Sequence, residues 1–247
     1  MTPSDVEVAA RAARAAADVL LSLRAAGDLT GRPLGDAGDA AAQRAIAEVL
    51  AADRPGDAVF SEEAVDDPRR LAADRVWIVD PLDGTREYGE PGRHDWAVHV
   101  ALWADGELTA SAVALPALGE VLLTDPAPVL PAATQGRVRV AVSRTRPPAE
   151  AAAVARTLDA ELVPLGSAGY KTVAVARGEV DAYVHSGGQY QWDSAAPVAI
   201  ARAAGLTTCR LDGSPLVYNA PDPWLPDLVV CRPELADAIL DAVVAAA

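Results

Sequence analysis

The sequence predicts an α/β protein with an α+β N-terminal part and an α/β C-terminal part. Three observations predict it. Two Ala-rich amphipathic segments precede a run of short apolar strands. The later strands of that run are separated by turn residues, as in an antiparallel meander. Beyond a Pro- and Ala-rich stretch, helical and strand patterns alternate, which is the mark of an α/β layer. The two parts are placed at 1–134 and 135–247.

Residues 4–26 carry Val6, Leu20, Leu21 and Leu23 among charges and read as an amphipathic helix ending near Gly27. Gly31, Pro33 and Gly35 predict a loop. A second helix is expected from about Asp39 to Ala52, with Asp39 placed to act as its N-cap and the Pro55-Gly56 turn behind it. Ala58 to Phe60 is a short strand leading into Ser61-Glu62-Glu63. Val76 to Val79 is an apolar strand that stops at Asp80-Pro81-Leu82-Asp83-Gly84-Thr85. Segments 96–104, 108–115 and 120–124 form the expected meander, with turns at Asp105-Gly106 and Leu118-Gly119. Pro126 to Ala133 is the candidate linker. Strands are then expected at 137–142, 161–165, 180–185, 206–210 and 227–231. Helices are expected at 148–158, 168–177, 194–204 and 233–246.

Composition narrows the function. The chain has 247 residues and a net charge of −14, which argues against nucleic acid or an anionic membrane as partner. A small anionic substrate stays possible, because bound divalent cations reverse the local sign of a site. A chain this long buries enough surface to fold without disulfides. Cys209 and Cys231 form no CxxC unit and are expected as buried free thiols in a reducing cytoplasm. Met1 to Glu7 does not resemble a signal peptide, and no stretch is long and uncharged enough to cross a bilayer. A cytoplasmic protein is therefore expected. Of 21 basic residues only Lys171 is lysine, which marks that position for attention.

The chemistry concentrates in the carboxylates. Asp80 and Asp83 flank Pro81 and Leu82 directly after an apolar strand. Pro81 fixes its φ and Gly84 permits a tight turn, so both acids can aim at one point. A bare Asp-x-x-Asp-Gly also reads as an ordinary acidic turn. A turn at the end of a buried strand is, however, where function is usually carried. Hard cations such as Mg²⁺ take such oxygen ligands.

Trp77-Ile78-Val79-Asp80-Pro81-Leu82-Asp83-Gly84-Thr85 resembles the WxxDPxDGT signature of the inositol monophosphatase superfamily. Ser61-Glu62-Glu63 resembles its upstream Glu-Glu element, Trp192-Asp193-Ser194-Ala195-Ala196-Pro197 its WDxAA element, and Gly38-Asp39 its early aspartate. The resemblance covers essentially the whole chain. It implies a layered αβαβα sandwich of the inositol monophosphatase and sugar phosphatase type, and a phosphomonoesterase using two to three Mg²⁺ ions. Glu62, Asp80 and the Leu82 carbonyl would hold one ion, and Asp80, Asp83 and Asp193 a second. Glu62 with waters would hold a third. Backbone N–H groups at Asp83, Gly84 and Thr85 would grip the phosphate. The Thr85 hydroxyl, oriented by Asp39, would activate water, which makes Asp39, Thr85 and Glu62 the catalytic set. Paired metals suit a dianionic ester, because they neutralise it and lower the pKa of water. His94, His99 and His185 take no part in this scheme. Blander roles stay open: Asp193 also as N-cap of a helix beginning at Ser194, Glu63 facing solvent, and Trp77 and Trp192 in the core.

Within the superfamily, Arg86-Glu87-Tyr88 resembles the DGTxEF or DGTxEY turn of the CysQ-type 3′(2′),5′-bisphosphate nucleotidases. Gly166-Ser167-Ala168-Gly169-Tyr170-Lys171 resembles their GS-x-x-x-K segment and Val142-Ser143-Arg144 their VSRS or VSRT element. Gly92 to His99 looks like the actinobacterial members and has no assigned role beyond covering the site. The resemblance implies hydrolysis of 3′-phosphoadenosine 5′-phosphate to AMP and phosphate, a step linked to sulfate assimilation. Ser143, Arg144, Gly166, Ser167 and Lys171 would bind substrate, with Lys171 and Arg144 on the 5′-phosphate side. A broader inositol or fructose-1,6-bisphosphatase-like sugar phosphatase is the alternative, and a non-catalytic binder of anionic nucleotides is a second. Inhibition by Li⁺ and a homodimer are compatible with the family. The short 64–74 loop is expected as a lid.

Overall fold

The computed structural model describes residues 2–133 and 136–245. The boundary expected between 134 and 135, and the expected helix end at 246, lie outside the described residues.

Helix α1 (Asp5–Ala26) opens on a capping box. The Ser4 hydroxyl accepts the Glu7 N–H at 3.3 Å, and the Glu7 carboxylate accepts the Ser4 N–H at 2.7 Å. Gly27, at φ +74°, closes the helix. Helix α2 (Gly31–Asp53) begins two turns earlier than the sequence suggested. Asp39 is therefore inside the helix and is not its N-cap. Pro33 sits in the first turn, where backbone N–H groups have no helical partner. Gly35 and Gly38 serve close packing instead of a turn. A Cβ at 35 would come 2.6 Å from Thr85 Cγ2, and one at 38 would come 2.8 Å from Tyr88 Cε1.

Strands β1 (Ala58–Ser61), β2 (Arg75–Asp83), β3 (Ala97–Ala104), β4 (Glu107–Leu115) and β5 (Glu120–Leu123) form one sheet in chain order. Its β1–β2 pair is parallel and its other pairs are antiparallel. Helix α3 (Thr85–Gly89) follows β2 directly. The second sheet has the order β7-β6-β8-β10-β9, built from β6 (Arg139–Ser143), β7 (Glu161–Leu165), β8 (Ala182–Tyr190), β9 (Thr207–Cys209) and β10 (Trp224–Cys231). Helices α4 (Ala149–Thr157), α5 (Ala168–Ala176), α6 (Gln191–Ala203) and α7 (Ala236–Val244) complete the chain.

Strand alternation sorts the layers, because successive side chains point to opposite faces. On β2, Trp77 and Val79 join a core with α1 and α2, while Val76 and Ile78 face α5 and α6. On β8 and β10, Tyr183, Leu228 and Val230 face that same central helix layer. Ala182, Val184, Val229 and Cys231 face α4 and α7. The result is the expected αβαβα sandwich. Trp77 is a core residue, as expected, with Nε1 donating to Asp57 Oδ2 at 2.8 Å.

Two further expectations change. β8 continues past the Gly187-Gly188 pair, whose φ values are +92° and +89°, through an irregularity against β10, and it runs straight into α6. Asp193 is thus the third residue of that helix and not its N-cap. Its carboxylate accepts the Tyr190 N–H at 2.6 Å. The 64–74 loop is pinned near its far end by the buried Arg70. This side chain pairs with Asp66, donates to Asn219 Oδ1 at 2.7 Å, and lies 3.8 Å over the Phe60 ring. At the near end Val65 is 97 % exposed.

Candidate active site

The β2–β3 ladder shifts register between Asp80 and Asp83, and the carboxylates of both lie within 4.8 Å of each other. Asp80 Oδ1 accepts the Leu82 N–H at 3.0 Å. Its Oδ2 is buried with no hydrogen-bond partner among the described residues. Burial, then the charges of Glu62, Asp83 and Asp193, pushes the Asp80 carboxyl well above the usual range. Asp83 Oδ2 accepts the Ser167 hydroxyl and the Gly169 N–H, each at 2.5 Å, and Oδ1 accepts the Ala168 N–H at 3.2 Å. This acid therefore also ties β2 to the start of α5.

Glu62 follows β1 and keeps contact with solvent as a residue. Protein packed around its carboxyl group, then the charge of Asp83, pushes it up to about 7. Burial and then Asp83 raise Asp193 to about 8. Asp39 is buried, its Oδ1 has no partner among the described residues, and burial followed by Glu63 and Glu62 raises it to about 7. The Thr85 hydroxyl opposes that rise. The Thr85 hydroxyl also donates to the Leu82 carbonyl at 3.1 Å. Glu63 faces solvent but its charge reaches Asp39.

His99 completes the cluster and was not expected there. It is fully buried, opposite Asp80 in the β2–β3 ladder. Its Nδ1 lies 3.2 Å from the Trp192 carbonyl, an acceptor, so the ring proton sits on Nδ1. Its Nε2 is 3.5 Å from Asp83 Oδ2. Burial lowers its pKa, against the pull of Asp83. Ligand atoms of Asp80, Asp83 and His99 all lie within 4.8 Å of one another.

These residues fit a divalent metal. Crowded acids whose pKa values are pushed up by burial and by one another, and buried carboxylate oxygens without partners, lack a countercharge. An oxygen-seeking cation supplies one.

The two cations expected on the substrate side are engaged within the protein. Lys171 Nζ is buried and donates to the carbonyls of Ser167 at 2.6 Å and Gly166 at 3.1 Å. Arg144 is held by Glu87 at 2.6 Å and Glu90 at 2.7 Å. Neither cation is free. Asp95, another residue without an expected role, accepts the Gly166 N–H at 2.5 Å. A Cβ on Gly166 would collide with Glu87. The Ser143 hydroxyl accepts the Arg146 N–H at 3.2 Å. The Arg146 guanidinium has no ion pair or side-chain hydrogen bond among the described residues and lines the cleft. Gly84, at φ +90°, packs against Ser167 and Trp96, where a side chain would be strained.

The cleft has two adjoining lobes of about 410 and 480 Å³. Glu87, Ser143, Arg146, Ser167 and Lys171 line both, and Asp83 and Asp193 line the smaller one. A larger cavity of about 1110 Å³ beside the start of α1 shares none of these residues.

A five-layer sandwich with an acidic, metal-competent cleft at the end of a strand defines a metal-dependent phosphatase. The inositol monophosphatase family profile matches residues 2–246, and the chain belongs to that family. It is 54 % identical over 218 residues to a 3′-phosphoadenosine 5′-phosphate phosphatase of Mycobacterium bovis, spanning 85 % of this chain and 82 % of that one. The Mycobacterium leprae protein of the same name is 50 % identical over 253 residues, spanning 97 % and 93 %. Among solved structures, CysQ from Bacteroides thetaiotaomicron, a bacterial member of the family, superposes with a TM-score of 0.76 at 25 % identity, covering 92 % of this chain and 97 % of that one. No helix among the described residues is long and apolar enough to cross a membrane.

Proposed function

We propose that the protein removes the 3′-phosphate of 3′-phosphoadenosine 5′-phosphate, giving AMP and inorganic phosphate, with Mg²⁺ as its metal and the cytoplasm as its place of action. The activity named for the mycobacterial relatives, at half identity over most of both chains, carries the substrate assignment. The buried free thiols Cys209 and Cys231 support a reducing compartment.

Glu62, Asp80, the Leu82 carbonyl, Asp83 and Asp193 would hold the metal ions. When bound there, Mg²⁺ would lower the pKa of a water and stabilise the leaving oxygen. Asp39, raised to about 7, takes a proton readily near neutrality. Thr85 beside it orients the water to be deprotonated, and the N–H groups of Gly84 and Thr85 receive phosphate oxygens. With Lys171 and Arg144 engaged, Arg146 is the cation for the second phosphate.

The test is a Mg²⁺-dependent phosphate-release panel. A charge-assisted contact to the second phosphate is worth about tenfold to a hundredfold in kcat/KM, so the bisphosphate should exceed 3′-AMP and inositol 1-phosphate by at least that factor. Equal values for inositol 1-phosphate would favour a general sugar phosphatase. No turnover of any ester would favour a nucleotide binder.

A further inference from the structure

Tyr190 and Trp224 are large aromatic residues left 42 % and 45 % exposed, and both line the lobe that contains Asp83 and Asp193. Aromatic surface at the mouth of a polar cleft has no folding role that requires its exposure.

Both rings are held in place. Tyr190 stacks on Trp192, with centroids 4.9 Å apart and planes at 16°. Trp192 is itself edge-on to the buried Phe60 at 5.2 Å. Trp224 stands edge-on to Tyr190 at 5.5 Å and 80°, and its indole covers the space a side chain at Gly188 would need. The loop before Trp224 is anchored by the fully buried Gln191, whose Nε2 donates to the Asp222 carbonyl at 2.8 Å. The shelf is also tied to the reacting end of the cleft, because the Tyr190 N–H donates to Asp193 Oδ2 at 2.6 Å.

We propose that the Tyr190–Trp224 shelf receives the purine base of the substrate by stacking. This rests on the nucleotide reading above and extends it. One lobe is thus lined by the acids Asp83 and Asp193, by Arg146, and by two exposed aromatic rings set edge to face. Inositol and sugar phosphates have no π-face to offer it, so the shelf selects nucleotides over polyol phosphates. Its volume falls in the range of small-molecule sites.

The test compares 3′-phosphoadenosine 5′-phosphate with ribose 3,5-bisphosphate, which lacks the base, in Tyr190→Leu, Trp224→Leu and Tyr190→Phe. The ratio of kcat/KM between the two substrates should fall about tenfold in each leucine variant, through KM for the nucleotide, and hold in Tyr190→Phe. In parallel, AMP should quench tryptophan fluorescence in the parent, ribose 5-phosphate should not, and Trp224→Leu should remove most of the quench. Equal losses on both substrates, or no quench by AMP, would overturn the shelf. A parent that favours the bisphosphate while both leucine variants keep its KM would leave the substrate reading standing and the shelf rejected. A parent with no such preference, but with quenching through Trp224, would do the reverse.

Discussion

The Lys171 ammonium lies 2.6 Å from the carbonyl oxygen of Ser167, and Ser167 gives its hydroxyl to Asp83 at 2.5 Å. Ser167 holds φ +47° and ψ 131°, a positive φ unusual for serine. One buried cation thus fixes the backbone that fixes an acid of the acidic cleft. Lys171→Met should therefore lower kcat for the bisphosphate and for 3′-AMP by similar factors, at least about tenfold. Losing a buried charge-assisted bond costs about 1.5–3 kcal/mol, which at this chain length lowers Tm by about 5 °C. Kinetics on both substrates and a thermal melt check this. A rise in KM confined to the bisphosphate would return Lys171 to the second phosphate.

The strand positions and the acidic turn were legible because short apolar runs closed by turn residues are local information, whereas the order of the strands in the second sheet is not. The first turns of α2 were not. Gly31, Pro33 and Gly35 read as a loop, and the reason for two α2 glycines, contact with Thr85 and Tyr88, is tertiary. His99 was hidden in an apolar strand, and its neighbours Asp80, Asp83 and Trp192 come from other elements. Only the β2–β3 register, which sets it opposite Asp80, would have exposed it. The engagement of Lys171 and Arg144 was equally invisible, since the backbone turn at 166–167 and the approach of Glu87 and Glu90 exist only in the fold.

Asp83→Asn removes a charge from the cleft and, in the same rotamer, sets an amide NH₂ against either the Ala168 N–H or the Gly169 N–H, because these two donors bond to different carboxylate oxygens. Turnover should fall by at least about a hundredfold, the scale of losing a major electrostatic contributor. Mg²⁺ affinity should fall with it, and Tm should drop modestly because α5 loses an acceptor. Calorimetric Mg²⁺ titration separates the metal effect from the fold. Near-normal turnover would make this turn structural only.

The acids make stability depend on pH and metal together. Asp39 and Glu62 are raised to about 7 and Asp193 to about 8. Between about pH 4 and these values the folded chain holds protons the unfolded chain has released. Their contribution is full below about pH 4 and is lost progressively as pH rises to about 7 to 8. Metal-free protein should thus melt lower at pH 8 than at pH 5.5. Mg²⁺ should raise Tm more at pH 8, by at least about 5 °C, as it replaces the missing countercharge. Chelation should abolish hydrolysis, and Ca²⁺ should inhibit it through its looser geometry. A Mg²⁺ shift independent of pH would mean that these acids are not its ligands.

Thr85 touches two groups with different meanings. Its hydroxyl counters the rise in the Asp39 pKa, and it donates to the Leu82 carbonyl at 3.1 Å. If Thr85 and Asp39 act as a unit on one water, their losses are non-additive. Thr85→Ala and Asp39→Asn should each lower kcat by at least about a hundredfold, with the double variant little worse than the poorer single. Thr85→Ser keeps the hydroxyl and should retain most of the activity, while Thr85→Val keeps the shape and should not. The valine variant also loses the bond to Leu82, so its Tm is measured alongside. A Thr85→Val protein with parent Tm and low kcat assigns the hydroxyl to the reaction. Losses that multiply in the double variant would give Asp39 and Thr85 separate roles, with Thr85 acting on the Leu82 carbonyl and Asp39 on the electrostatics of Glu62 and Glu63.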